Sequence, residues 1–446
     1  MLGLIVMLLL VYGWGVGQGF VKDDVVWIAE NQIDSWRDVA GVLDRSNGFY
    51  RPVVALSFAI DRSLYGLWSL GYGITNFALL VGCSLAVAGL ARVLGLTPLA
   101  ASLAAGLWAL NFHGINMAVL WLSGRTELLL VLFATLAAAL FVRGRWWTAT
   151  ACAFLAMLSK EQAVLLPAIL SAWAYVLAGS DTSTGSRLKR VARAAWPMWL
   201  AAGVYLWLRG QTDAFTPATS PWFYRFIFDP IKVAENALHY IDRAATFSVL
   251  ITIVASLAAW QRPRLSRDVR RLVTPCLFWF VGSYALTIFL PVRSSLYACL
   301  PSVAAVIVGA SCLADLWQRS QQPVRRRLII ATVVIPLALL PVYHARNVRW
   351  TELATLSADI FRTLQPLSRE PAVSSVQFLD ERTTRRSIWN AYGGLLPEAV
   401  TLAVGRRLHV SLMPPMDGVD AAPAGQPPPH TIAVIAFRDG RIARVK

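Results

Sequence analysis

The sequence predicts an all-α polytopic membrane protein, a bundle of about 11 transmembrane helices with interfacial helices in its first outer loop and a small C-terminal α/β outer domain. Three observations support this prediction. Of the 446 residues, 57% are hydrophobic and only 15% are charged, far from the balance of a soluble domain. Apolar segments recur at lengths close to a membrane span, and basic residues concentrate in alternate connections between them.

The candidate spans are the segments that are apolar enough to cross, or nearly cross, a hydrocarbon core of about 30 Å. They are residues 1–17, 71–91, 97–112, 126–142, 146–158, 162–178, 195–209, 245–260, 272–290, 296–316 and 328–345. We expect the first of them to be retained as a helix rather than cleaved as a signal peptide, because no small-residue cleavage site is obvious after it.

Arginine and lysine set the predicted orientation. With a cytoplasmic N-terminus, the basic connections around residues 143–145, 187–193, 262–271 and 319–327 all fall inside. This pattern explains the formal charge of +16 without a nucleic-acid partner. It predicts a multi-pass protein of the inner (cytoplasmic) membrane, with residues 18–70, 210–244 and the tail on the periplasmic or extracellular side.

The first outer loop, residues 18–70, contains two stretches with apolar residues at helical spacing mixed with charges, "VVWIAENQIDSWRDVAGVL" and "PVVALSFAIDRSLYGLW". Both predict amphipathic helices in the membrane interface, where tryptophan and tyrosine are favoured. Such a loop forms a roof over an outer-leaflet cavity, a suitable place for a lipid-linked substrate.

The tail differs in composition from the rest, so the sequence divides into a membrane domain, residues 1–345, and an outer domain, residues 346–446. "RWTELATLSADIFRTLQPL" and "GLLPEAVTLAV" predict helices, and "VSSVQFLD" and "RLHVSLMP" predict strands. "HTIAVIAFRDGRIARVK" predicts a hairpin that turns at Asp439 and Gly440, after a Pro-rich loop.

Ionisable side chains at membrane depth are costly, about 2.5–3.5 kcal/mol each, so their clustering is informative. The candidates lie at predicted outer helix ends or in outer loops. They are Asp23, Asp24, Arg51, His113, Arg125, Lys160, Glu161, Arg293 and Tyr297, joined by Asp61, Glu127, His344, Arg346 and Asn347. A carboxylate can accept the proton of an attacking hydroxyl, and arginine and lysine can hold a departing phosphate.

Plainer interpretations fit the same residues. Paired aspartates are often solvated, arginines at helix ends reach the headgroups, and Lys160 with Glu161 can form a simple interfacial ion pair. His113 has no second ligand at metal-binding spacing. Whether Asp23 and Asp24 bind a divalent cation, Mg²⁺ or Mn²⁺, or none stays open.

The order of these segments resembles the membrane-embedded glycosyltransferases of the GT-C superfamily. The matching segments are "FVKDDVVWIAEN", "FYRPVVALSFAIDRSLYGLWSLGYGITNFALL", "NFHGINMAVLWLSGRTELLLVLFATL", "LSKEQAVLLPAIL", "RSSLYACLPSVA" and "ARNVRWTELATL". They are most similar to the bacterial relatives of the dolichyl-phosphate-mannose protein O-mannosyltransferases with tetratricopeptide repeats, over roughly residues 1–360. The chain lacks the repeats and departs from that branch at Gly73, Asn116 and Ala118.

The resemblance implies a multi-helix bundle with an acidic catalytic motif in the first outer loop and a polyprenyl-phosphate sugar donor. It assigns the catalytic base to Asp23 and the orientation of the acceptor or a metal to Asp24. Arg51, Arg125, Lys160 and Arg293 match basic positions that would bind the lipid phosphate.

The function expected from these observations is inverting transfer of a sugar from a polyprenyl-phosphate donor to a hydroxyl of a glycan, lipid or protein acceptor at the outer face. A single displacement with one base inverts the anomeric centre. Two alternatives are a flippase of lipid-linked sugars, which favours ionisable groups near the bilayer midplane, and a non-catalytic membrane scaffold with an outer binding domain.

Overall fold

A computed structural model of the chain describes residues 2–33, 35–44, 48–178, 183–216, 218–265, 267–380, 386–413, 431–438 and 441–444. Its α-helices, in chain order, are α1 (Leu2–Tyr12), α2 (Asp24–Glu30), α3 (Trp36–Asp44), α4 (Pro52–Tyr65), α5 (Ser69–Val93), α6 (Pro98–Ala109), α7 (Ile115–Leu120), α8 (Arg125–Val142), α9 (Trp146–Met157), α10 (Leu166–Leu177), α11 (Thr184–Gly210), α12 (Pro230–Ala259), α13 (Arg267–Tyr284), α14 (Ser302–Arg319), α15 (Gln322–Ala338), α16 (Leu340–Leu364), α17 (Ile388–Tyr392) and α18 (Leu396–Val404).

Four strands form one sheet in the order β2-β1-β3-β4, with β1 (Val373–Asp380), β2 (His409–Met413), β3 (Thr431–Arg438) and β4 (Arg441–Arg444). The central strand β1 runs parallel to both β2 and β3, whereas β4 pairs antiparallel with β3. All four lie within the segments that the sequence predicts as strands. The predicted Pro-rich loop 414–430 and the turn at Asp439 and Gly440 lie outside the described residues.

Several helices begin where the local sequence requires it. Thr97 accepts a hydrogen bond from the Ala100 amide and is followed by Pro98, a proline at the first helical position of α6. Asp229 plays the same part for α12, accepting a bond from the Ile231 amide at 2.9 Å just before Pro230. The cap and the proline together fix the start of each helix.

The helices differ in how much of their apolar surface is buried inside the protein. Of the apolar window in the segment containing α8, 72% is buried inside the protein, against 28% for α12. Large apolar side chains on α11, α12, α13 and α15 are exposed, among them Trp199, Leu257, Leu277 and Ile330. An apolar belt of this extent suits contact with lipid and is rarely left exposed to water. The chain is thus a membrane protein.

Each predicted span falls on helix. Within the described residues, four helical segments are long and apolar enough to cross a membrane: Ser69–Val93, Leu122–Val142, Pro230–Ala259 and Gln322–Arg369. The remaining apolar helices are shorter, so the count of about 11 spans and the orientation stay predictions.

The first outer loop contains the predicted amphipathic helices, with one difference. The stretch that begins at Val25 divides into α2 and α3, because the chain leaves helical geometry at Asn31. The second stretch forms the single helix α4, which begins at Pro52. The described part of the loop, residues 18–33, 35–44 and 48–70, therefore contains three short helices before α5.

The loop and the tail share one core, although the sequence treats them as parts of different domains. Apolar side chains from both segments form a single buried cluster that includes Phe20, Ile28, Leu356, Phe361, Val376 and Val400. The expected boundary at residue 346 falls within the continuous helix α16. As a result, α16 connects the bundle, the loop and the sheet directly.

Candidate active site

The two adjacent aspartates lie at the start of α2 and differ in environment. Asp24 is the first helical residue and is fully buried, whereas Asp23 precedes it and is exposed to solvent. Lys22, just before them, has a left-handed backbone with φ of 52°, which is rare for a residue with a side chain. Its amide donates to the Ala391 carbonyl at 2.8 Å, and this bond holds the turn.

Asp24 anchors the loop to the bundle. One carboxylate oxygen accepts a hydrogen bond from the Val21 amide at 2.9 Å, and the other accepts from the Ser123 amide at 2.7 Å and from the Ser123 hydroxyl. Burial raises the pKa of Asp24 to about 7, although these hydrogen bonds oppose the rise. Because its oxygens already have partners, Asp24 has little capacity left for a substrate or a metal.

Asp23 retains an accessible carboxylate although protein atoms lie close around it. Loss of hydration among the surrounding protein atoms raises the pKa of Asp23, and the positive charges of Arg51 and Lys22 partly oppose that rise. A carboxylate that is both accessible and more basic than usual is suited to accept a proton. Asp23 therefore stays the candidate base.

Arg51 connects the first loop to the segment after α9. Its guanidinium forms a bidentate pair with Glu161, with N–O distances of 2.7 and 3.0 Å, and it lies 4.1 Å from the centre of the Phe49 ring. The charge of Glu161 raises the pKa of Arg51 despite the cost of burial, so the cation is permanent. The pair holds this cation near Asp23.

Two other predicted phosphate ligands lie inside the protein. Arg125 is completely buried, 2.7 Å from Asp61, and Lys160 pairs with the buried Glu127. Arg125 also donates to the Asn76 side chain at 3.0 Å. Neither cation is accessible to a ligand in this conformation, which favours a role in holding helices together.

Two further groups of candidates form pairs that involve α12 and α16. Arg293 pairs with Glu235 at 2.5 Å, and the Nη1 atom of Arg346 lies 3.3 Å from the Nδ1 atom of His113. Burial, reinforced by the charge of Arg346, lowers the pKa of His113 to about 4. His113 is thus neutral at physiological pH and can accept a hydrogen bond from Arg346.

A cavity of about 190 Å³ opens beside Glu161. Its walls are largely apolar or aromatic, and its lining residues are Phe49, Glu161, Gln162, Arg209, Phe215, Thr216, Ser220, Tyr224, Phe226, Leu286, Thr287, Leu290 and Tyr297. Glu161 and Tyr297, both predicted from the sequence, meet here. The Lys160 ammonium lies 4.8 Å from the centre of the Tyr297 ring, on the bundle side.

Buried polar atoms without protein partners mark one part of this cavity. Among the described residues, neither amide atom of Gln162 has a hydrogen-bond partner, and the same is true of the Nη1 atom of Arg209. The Gln162 side chain is only 5% exposed, so its two unpaired atoms are costly. A ligand with hydroxyls or phosphate oxygens would satisfy them.

Gln162, Arg209 and Tyr224 were missed by the sequence reasoning. Gln162 did carry a signal, because a glutamine in an apolar segment is unusual. Arg209 ends α11 and looks like an ordinary basic residue at a helix terminus. Tyr224 lies in the outer segment 210–244 with no pattern to distinguish it, and only the fold places it against Arg51.

The chemistry of the aspartate pair bears on metal binding. Within the part of the chain that the structure describes, no group of three or more His, Cys, Asp or Glu side chains could hold a metal ion. Asp24 is committed to Val21 and Ser123, so Asp23 is the one member of the pair with free oxygens.

Comparison with solved structures identifies the fold. ArnT from Cupriavidus metallidurans, in its apo state, matches with a TM-score of 0.58 at 12% identity, over 91% of this chain and 84% of that chain. The oligosaccharyltransferase AglB from Archaeoglobus fulgidus, in complex with an inhibitory peptide and a dolichol-phosphate, matches with a TM-score of 0.52 at 12% identity. That match covers 92% of this chain and 64% of AglB, so the chain spans just under two thirds of that protein's length.

The chain shares its fold with these two proteins, and membership of the GT-C superfamily stays a prediction. The likeness extends to the fold alone, and the similarity to the O-mannosyltransferase branch stays a prediction. No known protein family matches the sequence, and no characterised protein matches it significantly.

Proposed function

We propose that this protein is an inverting glycosyltransferase that moves a sugar from a polyprenyl-phosphate donor to an acceptor hydroxyl at the outer face of the cytoplasmic membrane. One observation carries the proposal: the accessible, unusually basic carboxylate of Asp23 lies within electrostatic range of Arg51 and of Tyr224, which lines a largely apolar cavity with unpaired polar atoms. The fold shared with an oligosaccharyltransferase that was solved with dolichol-phosphate supports a donor of this class.

The reaction would be a single displacement. The acceptor oxygen bonds to the anomeric carbon as its proton passes to the Asp23 carboxylate, and the bond between that carbon and the donor phosphate oxygen breaks. The leaving phosphate carries away the electron pair as an anion, so it needs cations rather than an acid. The unpaired Nη1 atom of Arg209, in the cavity wall, is the group best placed to supply one, whereas Arg51 is already paired with Glu161.

The cavity suits both the lipid part and the sugar part of the donor. Aromatic and aliphatic walls fit the first prenyl units or a sugar ring, and the Gln162 amide offers a donor and an acceptor for sugar hydroxyls. Arg125 and Lys160 do not contact the donor in this proposal, since Asp61 and Glu127 already neutralise them; they hold helices together instead. This differs from the phosphate contacts that the resemblance implies.

The accessibility of Asp23 also bears on the scaffold alternative. A scaffold predicts a first loop collapsed onto the bundle, with Asp23 facing away from any cavity. Instead Asp23 is exposed, with Arg51, Lys22 and Tyr224 within electrostatic range. This arrangement supports a catalytic site over a scaffold.

Replacement of Asp23 by Asn tests the proposal. The full chain in lipid nanodiscs would be supplied with radiolabelled undecaprenyl-phosphate sugars and an envelope extract as the source of acceptor. We expect Asp23→Asn to reduce transfer by at least a hundredfold while undecaprenyl phosphate still binds. The matched control is Asp213→Asn, an exposed aspartate in another outer segment. A fully active Asp23→Asn variant would contradict the mechanism.

A second pair of variants tests the donor cavity. Arg209→Gln and Gln162→Leu should weaken undecaprenyl-phosphate-sugar binding about tenfold each, because each removes a charged or hydrogen-bonding contact. Gln162→Leu should leave the affinity for undecaprenyl phosphate without sugar nearly unchanged. Equal losses for both ligands would place Gln162 against the phosphate instead of the sugar.

A further inference from the structure

A second cavity, the basic cleft, lies on the side of the first loop that faces α16. Its volume is about 490 Å³, and its lining includes Lys22, Asn116, Arg346, Arg349, Trp350 and Asn390. It contrasts with the apolar cavity beside Glu161, because polar surface predominates in its lining. The two cavities share no lining residue.

The fold gathers the cations of the basic cleft from both ends of the chain. Arg346, Arg349, Trp350 and Leu353 line it from one face of α16, as their spacing of three and four residues requires. Lys22 approaches from the first loop, and its ammonium lies 5.5 Å from the centre of the Trp350 ring. Trp121 stacks against the same ring at 5.4 Å, so Trp350 is held rigidly between them.

The cations of the basic cleft differ from the other basic residues of the site in forming no direct ion pair, although the charges of Asp242 and Asp23 lie within electrostatic range of Arg346 and Lys22. Arg51, Arg125 and Arg293 each pair with a carboxylate. Among the described residues, no carboxylate lies within ion-pair distance of the Lys22, Arg346 or Arg349 side chain. The carboxylate in the lining is that of the exposed Glu352. Three cations facing one cavity repel each other, and a bound anion removes that cost.

The position of Lys22 connects this charge to the chemistry. Lys22 lines the basic cleft, and Asp23 follows it directly, with Cα atoms about 3.8 Å apart. The left-handed backbone at Lys22 turns the chain between these two residues. Asp23 does not line the cleft, but it lies within electrostatic range of Lys22, so a molecule whose anionic group is held by the cleft would need to extend past Lys22 to present a hydroxyl to Asp23.

We propose that the basic cleft is the acceptor site and that the acceptor is a saccharide carrying a phosphate group. This inference rests on the proposed function, since it identifies Asp23 as the base that the acceptor meets. Phosphate matches the site because arginine binds it through paired hydrogen bonds and lysine adds a point charge. The same group could belong to a phospholipid head, so the test distinguishes the two sources.

Binding of small probes tests the proposal without knowledge of the natural acceptor. The full chain would be placed in nanodiscs of phosphatidylcholine, and binding of glucose 1-phosphate, glucose and inorganic phosphate would be measured by calorimetry. We expect glucose 1-phosphate to bind, and the double variant Arg346→Gln/Arg349→Gln to weaken it at least tenfold. Arg349→Gln alone, which removes an exposed side chain, should weaken it about threefold. The control Arg326→Gln/Arg327→Gln changes two exposed arginines at the start of α15 and should have no effect.

Each other outcome overturns the inference. Equal binding of glucose and glucose 1-phosphate, or binding that survives the double variant, would exclude an anion-selective cleft. Loss of glucose 1-phosphate binding in nanodiscs with phosphatidylglycerol, but not in neutral ones, would assign the cleft to phospholipid heads. The activity of Asp23→Asn separates this proposal from the proposed function. If the cleft binds glucose 1-phosphate and Asp23→Asn still transfers sugar, only the catalytic mechanism is contradicted. If the cleft does not bind glucose 1-phosphate and Asp23→Asn is inactive, only the acceptor site is contradicted.

Discussion

Arg125 provides a strict test of how the charges divide between structure and chemistry. Its guanidinium is completely buried, 2.7 Å from the Asp61 carboxylate, and it donates to Asn76 and to the Tyr72 carbonyl at 3.0 and 3.2 Å. Replacing Arg125 by Leu leaves Asp61 as a buried charge without its cation. We expect this variant to lose stability but not to lose a contact with the donor.

The size of the loss follows from burial on both sides of the pair. Breaking a buried ion pair by removing one partner costs about 3–5 kcal/mol, roughly a thousandfold in the folding equilibrium. The double variant Asp61→Leu/Arg125→Leu removes both charges and should recover about half of that loss. Full recovery is not expected, because Thr75 and Asn76 then lose their partners, at about 1–3 kcal/mol.

Tryptophan fluorescence in detergent, followed during denaturation, measures the stability of each variant, and undecaprenyl phosphate binding measures the donor site. We expect the double variant to fold and to bind undecaprenyl phosphate with nearly the affinity of the natural protein. The resemblance instead predicts that Arg125 holds the phosphate. A stable double variant with tenfold weaker binding would refute our reasoning, as would a single Arg125→Leu variant of unchanged stability.

Three further predictions concern the neighbouring groups. Lys160→Met should cost about 3–5 kcal/mol of stability by leaving Glu127 unpaired, and Lys160→Met/Glu127→Leu should recover part of it in the same denaturation assay. Asp24→Asn should cost about 1–3 kcal/mol, because an amide nitrogen replaces an oxygen that accepts a hydrogen bond, and a lowered melting temperature would show this. Transfer should fall as the pH drops through the pKa of Asp23, which lies above its usual 3.8, since the base must be ionised. Arg51→Gln should move this fall to higher pH, because Arg51 lowers that pKa; an unmoved profile would separate Arg51 from the base.

Patterns in the sequence were enough to predict a largely helical membrane protein with a small sheet in its tail. Two predicted site residues from separate segments, Arg51 and Glu161, do meet, whereas the convergence of the whole set on one site stays a prediction. The strand segments of the tail were also predicted, because alternating burial leaves a period of two in "VSSVQFLD". These features depend on local composition, which a single sequence records.

The division of roles within the charged set could not be predicted. Asp23 and Asp24 are chemically identical, and only the start of α2 turns one towards Ser123 and leaves the other open. Arg125 looked like a phosphate ligand because nothing in the sequence shows that it pairs with Asp61, which lies 64 positions earlier in the chain. Pairing at such separations depends on the packed bundle, and no periodicity reports it.

The contacts of α16 determine when the site can form as well as where. The Asn347 amide donates to the Val11 carbonyl, and Ser357 donates to the Phe20 carbonyl, across 336 and 337 positions of the chain. A ribosome makes residues 11–24 long before it makes these partners. The aspartate segment therefore reaches the membrane before its α16 contacts exist, and these contacts form only after most of the protein has been made. Chains cut short before α16 would carry every predicted catalytic residue and still lack a catalytic geometry.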